Sequence, residues 1–293
     1  MQESKTIKKT LFMSKRTKLM AGFVTLILPL MLLGYSWFMN HRPKLHLKAD
    51  WTWIDTLIQN SDVVLAFIFL LVSAIPFYLV FDKKRAQARD LVPIALMAAM
   101  CVVGRLAFSI VPLPNFKPVS AIIIITGVAF GPEAGYLTGA LAGFLSNFLF
   151  GQGPWTPWQM FCWGMIGFLA GLLYKAGIFG TIGTSKVNEQ GKRKKPLVLC
   201  VFGFLCGVAY GWVMNLYYLI GYVDPITWPS ILSAYISSLY FDISHGICTA
   251  MVLWFVGELW VRKLLRIKKK FGLDGEDRNY QMPPSATEGL HRK

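Results

Sequence analysis

The chain has 293 residues, 55% of them hydrophobic, with 30 Lys and Arg against 15 Asp and Glu and a mean hydropathy of +0.49. This is too apolar for an ordinary soluble domain. The excess of +15 charges sits in short gaps between apolar runs, which suits loops beside an anionic leaflet and argues against a nucleic-acid surface.

Eight membrane spans are predicted in chain order: Met20 to Met39, Val63 to Phe81, Val92 to Val111, Val119 to Phe130, Ala134 to Phe150, Trp158 to Ala176, Leu197 to Ile220 and Ser230 to Trp260. Seven reach the ~17 residues that a helix needs to cross about 30 Å of hydrocarbon. The fourth is shorter and must extend into Phe116 to Ser120, tilt, or cross a thinned region. The first span follows a basic segment, but its apolar run exceeds a secretory signal core, and Tyr35 to Asn40 offers no small-residue cleavage site, so a retained helix is expected.

Basic residues set the orientation, because Lys and Arg near span ends stay cytoplasmic. They cluster in residues 1–19, at Lys83, Lys84, Arg85 and Arg89, at Lys186 and Lys192 to Lys195, and in the tail from Arg262. The alternate gaps are poorer: Arg42, Lys44 and Lys48 follow span one, Lys117 follows span three, and the gaps at 151–157 and 221–229 have none. Eight spans keep every cluster on one side, with both termini cytoplasmic. The expected architecture is therefore an all-α integral membrane protein: a basic N-terminus at 1–19, a two-span hairpin at 20–81, a basic linker at 82–91, a six-span core at 92–262 and a polar cytoplasmic tail at 263–293.

Glycine recurs every fourth residue in the core, at Gly127, Gly131, Gly135, Gly139 and Gly143, at Gly167 and Gly171, and at Gly203, Gly207 and Gly211. Such grooves allow close backbone approach, a main source of helix association in lipid, so the six later spans should form a compact bundle. Ala95 and Ala99 give the third span a small-residue face, suited either to packing within the chain or to docking a separate membrane subunit. The five cysteines lie inside apolar runs without CxxC spacing and read as small buried side chains.

Polar groups at membrane depth are costly unless paired and mark function. Tyr235, Ser238, Asp242, His245 and Thr249 recur on one face of span eight, Gly211, Asn215, Tyr218 and Tyr222 on one face of span seven, and Ser146 and Asn147 end span five. Arg105 is buried in span three, where it either pairs with Asp242 in a structural network or meets a ligand. Three outer turns, Pro114 to Lys117, Gly151 to Gln159 and Gly221 to Pro229, are rich in aromatic residues and proline. For any one Trp an interfacial belt explains this, but above the polar stripes the three turns form a lid over a cavity for a flat, partly polar ligand.

The sequence contains no HExxH, GxSxG, EF-hand or P-loop pattern, so no cofactor, no metal and no ATP hydrolysis by this chain are expected. An integral membrane enzyme using Asp242 and His245 as acid and base is one rival reading. A self-sufficient secondary transporter is another.

Val92-Pro93-Ile94-Ala95, Phe116-Lys117-Pro118, Gly131-Pro132-Glu133-Ala134-Gly135, Ser146-Asn147-Phe148 and Gly151-Gln152-Gly153-Pro154-Trp155 resemble the substrate-binding S component of an energy-coupling factor (ECF) transporter. Asp242-Ile243-Ser244-His245-Gly246 is similar to that family's Asp-x-x-His-Ala pattern, with Gly246 in place of Ala. The resemblance implies a six-helix subunit of a bacterial cell membrane that captures a vitamin or related micronutrient from outside. It also implies partners, namely a transmembrane coupling subunit, docked on Ala95 and Ala99, and two cytoplasmic ATPases. Ligand contacts are expected at Asn147, Trp155, Trp158, Gln159, Asn215, Asp242 and His245, with Arg105 as pair or ligand contact. The Gly-Pro-Trp-Thr-Pro-Trp loop looks most like members linked to cobalamin. The chain departs from the pattern in two places: Val103 interrupts the Ala repeat, and the hairpin before Phe81 is additional.

Overall fold

A computed structural model describes residues 22–40, 65–73, 88–180, 182–183 and 196–271, and every regular element among them is helical. The basic segment at 1–19, the gap with Arg42, Lys44 and Lys48, Lys83 to Arg85, Lys186 to Lys195 and the tail after Phe271 fall outside the described residues, as does most of the second predicted span.

Helix α1 (Leu28–Asn40) follows a π-helical turn, Phe23–Ile27, and α2 covers 65–73. The core then runs α3 (Ala88–Ala107), α4 (Val119–Phe130), α5 (Pro132–Phe150), α6 (Thr156–Lys175), α7 (Leu197–Tyr222), α8 (Trp228–Val252) and α9 (Glu258–Lys270). A π-turn at Leu253–Gly257 carries α8 into α9 without a break in the helix.

Local signals explain several ends. Pro132 opens α5 after Gly131, whose φ of 105° suits glycine alone. Thr227 caps α8, exchanging bonds with Ser230 in a capping box, and a proline stands in the first turn.

Among the described residues, three helices are long and apolar enough to cross a membrane: Leu91–Ile110, Leu197–Tyr222 and Trp228–Lys270. Helices α5 and α6 have 19 and 20 residues but dilute their apolar content with glycine and polar side chains. They can do so because most of their surface faces other helices.

The short α4 shows why a 12-residue helix suffices at this position. Every residue from Val119 to Ala129 is buried, with α3, α5, α6 and α9 packed around it. It is a core helix screened from lipid, so its length need not match the hydrocarbon thickness.

The glycine repeats act where helices touch. A methyl group on Gly167 would run into the backbone of Gly135, and one on Gly207 into that of Gly246. These contacts bring α5 against α6 and α7 against α8, the two most extensive helix pairings among the described residues. The N-terminal helices seal the other flank: Leu28, Leu32, Ala66 and Phe69 join Tyr136, Phe144, Trp158, Phe168 and Tyr217 in one buried cluster.

Candidate ligand pocket

Helices α3, α6, α7 and α8, with the turn before α4, converge on a small pocket lined by Arg105, Asn115, Lys117, Val119, Gln159, Trp163, Tyr210 and His245. Its free volume is about 40 Å³, room for a few waters. A larger guest must displace its walls.

Several polar side chains in and around the wall are held by specific partners. Arg105 donates through one guanidinium nitrogen to Ser146 Oγ and to Asn147 Oδ1, the latter at 2.7 Å. The guanidinium also lies 4.4 Å from the Phe150 ring centre and 5.3 Å from that of Trp163. Asn147 donates to Thr156 Oγ1 at 2.9 Å, and that hydroxyl donates to Gln152 Oε1 at 3.0 Å. The loop at 151–155 is thereby tied to Arg105 through a chain of polar contacts.

On the opposite wall His245 Nε2 is 2.8 Å from Ser120 Oγ. The His245 ring stands edge-on to Tyr210, which in turn stacks on Trp163 at 5.6 Å. Gln159 Nε2 donates to Tyr210 Oη at 2.7 Å. Two buried polar atoms here have no hydrogen-bond partner: Gln159 Oε1, an acceptor, and Trp163 Nε1, a donor. One turn apart on α6, both residues line the pocket. Lys117 supplies a second cation; burial and then Arg105 push its ammonium below the ordinary lysine range.

A second, more open groove of about 550 Å³ lies between the C-terminal end of α7 and the N-terminal half of α8, lined by Asn215, Tyr218, Ser230, Ser233, Ser237, Ser238 and Phe241 among others. Ala234, Ser238, Phe241 and His245 follow one another at steps of four and three along α8, so groove and pocket succeed each other down one helix face.

The expected site residues separate accordingly. Arg105, Asn147, Gln159 and His245 come together. Asp242 does not meet Arg105: its carboxylate packs against Gly211 and accepts from Ser238 at 2.9 Å, while Asn215 donates to the same hydroxyl at 2.6 Å. In place of an Arg105 to Asp242 pair there are two separate networks, Arg105 with Ser146 and Asn147 and Asp242 with Ser238, because Asn147 lies within reach of the guanidinium. Trp158 donates to Ser36 Oγ at 2.9 Å and is buried against Tyr217, turned toward α1. Trp155 sits half-exposed in the loop against Gly153. Ala95 and Ala99 lie on the exposed face of α3.

The ECF-type riboflavin transporter S component family matches residues 85–254. The chain belongs to this family. A UPF0397 protein of Vibrio atlanticus (strain LGP32) is 27% identical over 145 residues, 48% of this chain and 76% of that protein. No solved structure matches.

Membership makes this chain a membrane-embedded transporter component, from a family whose members act with a membrane coupling subunit and ATPases and which is not a family of enzymes. The matched span begins just before α3 and ends in the turn that joins α8 to α9, leaving α1 and α2 outside it. Three pocket residues of this S component, Val119, Trp163 and Tyr210, were not singled out from the sequence. Trp163 was legible as the residue one turn below Gln159, but Tyr210 had no signal, since the polar stripe of α7 begins one residue later.

Proposed function

We propose that this S component captures a flat heteroaromatic vitamin bearing a lactam or imide edge, with riboflavin, named in the family's description, as the leading candidate. The carrying observation is the unpartnered pair in the pocket wall, one acceptor and one donor one helical turn apart. Leaving both unmet costs about 1–3 kcal/mol each. A guest presenting an N–H beside a C=O satisfies both at once, its ring lying along the Trp163, Tyr210 and His245 aromatics. Lys117 and Arg105 favour electron-rich oxygen on the ligand.

The serine-lined groove above supplies hydroxyl partners for a polar tail and a route from the outer face. Asn215, Ser238 and Asp242 act there, apart from the ring. The loop bearing Trp155 is anchored through Thr156 to Asn147 and Arg105, so ligand contact at Arg105 is felt by the loop that covers it. Cobalamin, suggested by that loop's sequence, demands much larger displacement of the pocket walls than a two- or three-ring vitamin does.

In the full system the chain spans the bacterial plasma membrane eight times with both termini cytoplasmic, residues 92–262 forming the binding core. Ala95 and Ala99 face the coupling subunit, and two cytoplasmic ATPases energise release inside. The test is riboflavin titration of the purified full chain, with mass spectrometry of co-purifying small molecules, followed by uptake in vesicles with and without the coupling subunit and ATPases. Saturable binding, and uptake that needs the partners, supports the reading. Chemical turnover of ligand by the isolated chain, or uptake by the chain alone driven by a proton or sodium gradient, overturns it.

A further inference from the structure

At the end of the bundle away from the pocket, an apolar cleft of about 290 Å³ opens between α3 and α9, lined by Val92, Pro93, Leu96, Met97, Phe130, Leu264, Ile267 and Phe271. Val92, Leu96, Ile267 and Phe271 are exposed, so the cleft opens sideways to the surroundings of the helices. Helix α9 that forms one wall is strongly basic, with Arg262, Lys263, Arg266, Lys268, Lys269 and Lys270 in 13 residues against the single acid Glu258. By helical spacing Lys263 and Lys270 stand beside Ile267 at the rim.

Helix α8 with its continuation spans 43 residues from Trp228 to Lys270, about 65 Å at 1.5 Å per residue, twice a hydrocarbon core. Its basic end therefore lies at or beyond a membrane surface, where headgroups sit. Any acyl chain can fill an apolar cleft in a bilayer; the cationic rim adds selection for charge.

We infer that this cleft is a binding site for an anionic phospholipid, one acyl chain lying between α3 and α9 and the headgroup phosphate held at Lys263 and Lys270. The site is separate from the vitamin pocket and does not depend on its ligand. It adjoins the face of Ala95 and Ala99, so a lipid held here would border the coupling subunit.

The test uses the full chain in nanodiscs of equal phosphatidylglycerol and phosphatidylethanolamine, with retained lipid read by native mass spectrometry after release. Wild type is expected to retain phosphatidylglycerol in clear excess, and a variant carrying Lys263→Gln and Lys270→Gln to approach parity, at roughly five-fold per lysine. Leu96→Trp, which fills the cleft, is expected to lower retention of both lipids. Thermal melting and size-exclusion elution of each variant report that the fold is intact, and inorganic phosphate at millimolar concentration should not displace the lipid. Equal retention of the two lipids by wild type, or a preference unchanged in both variants, overturns the inference. Cross-linking of an Ile267→Cys variant to the coupling subunit in the whole complex, with no lipid retained, would assign the cleft to that subunit instead.

Discussion

Arg105 donates to Asn147 Oδ1 at 2.7 Å, and the Asn147 amide donates onward to Thr156 Oγ1 at 2.9 Å. One asparagine thus links a guanidinium on α3 to the first residue of α6. Asn147→Ala strips the guanidinium of one acceptor and frees the loop at 151–155. It should cost about 1–3 kcal/mol, seen as a lower melting temperature in detergent, and weaken ligand binding as well. Unchanged melting and affinity would show that the link is idle.

Trp163→Phe keeps an aromatic face against Tyr210 while deleting the unpartnered indole N–H together with part of a buried ring. Ligand affinity should fall about ten-fold or more, the loss of one buried hydrogen bond, and melting of the free protein should fall only through the cavity that the smaller ring leaves. Gln159→Leu should lower affinity too, but also destabilise, since it orphans Tyr210 Oη. Titration paired with thermal melts separates the two.

Gly167→Val places a branched side chain against the backbone of Gly135. Overpacking of this kind costs about 1–3 kcal/mol or more, so the variant should give less folded protein on size-exclusion chromatography. Gly151→Ala, with nothing within reach of an added Cβ but a φ of 98°, should suffer only from backbone strain.

Ala95→Leu with Ala99→Leu enlarges an exposed face without touching the pocket. Co-purification with the coupling subunit should be lost while vitamin binding by the isolated chain is unchanged. Retained co-purification would move the docking face elsewhere.

Burial, then Arg105, lowers the proton affinity of Lys117 in the folded chain. The unfolded chain therefore holds this proton to higher pH. Between the depressed value and the ordinary lysine range the folded state gains stability as pH rises. Thermal melts of wild type should improve over that alkaline window relative to Lys117→Met, and equal pH slopes would refute the assignment.

Helical periodicity made the bundle legible. Glycine at every fourth position announced close helix packing, since an interface without Cβ atoms can be read from spacing, but the pairing of α5 with α6 and of α7 with α8 came only from the fold. The polar stripe Ser238, Asp242 and His245 was equally visible, because polar groups stand out against an apolar span. What each stripe residue touches was not. Asp242 and His245, one turn apart, take different partners, Ser238 and Ser120, and Ser120 comes from a helix more than a hundred residues earlier in the chain. Trp158 looked like a lid residue from its loop, yet its indole is claimed by Ser36 of α1.

The sequence alone determined that this chain is a set of apolar helices with glycine seams and a few polar residues at depth, because hydropathy and residue spacing are properties of the string itself. Only the tertiary structure decided that α4 needs no full span, that Arg105 goes to Asn147 and not Asp242, and that Gln159 and Trp163 keep one unmet group each. Those outcomes depend on which side chains lie nearest after packing, and distance across a bundle is not encoded in any local pattern.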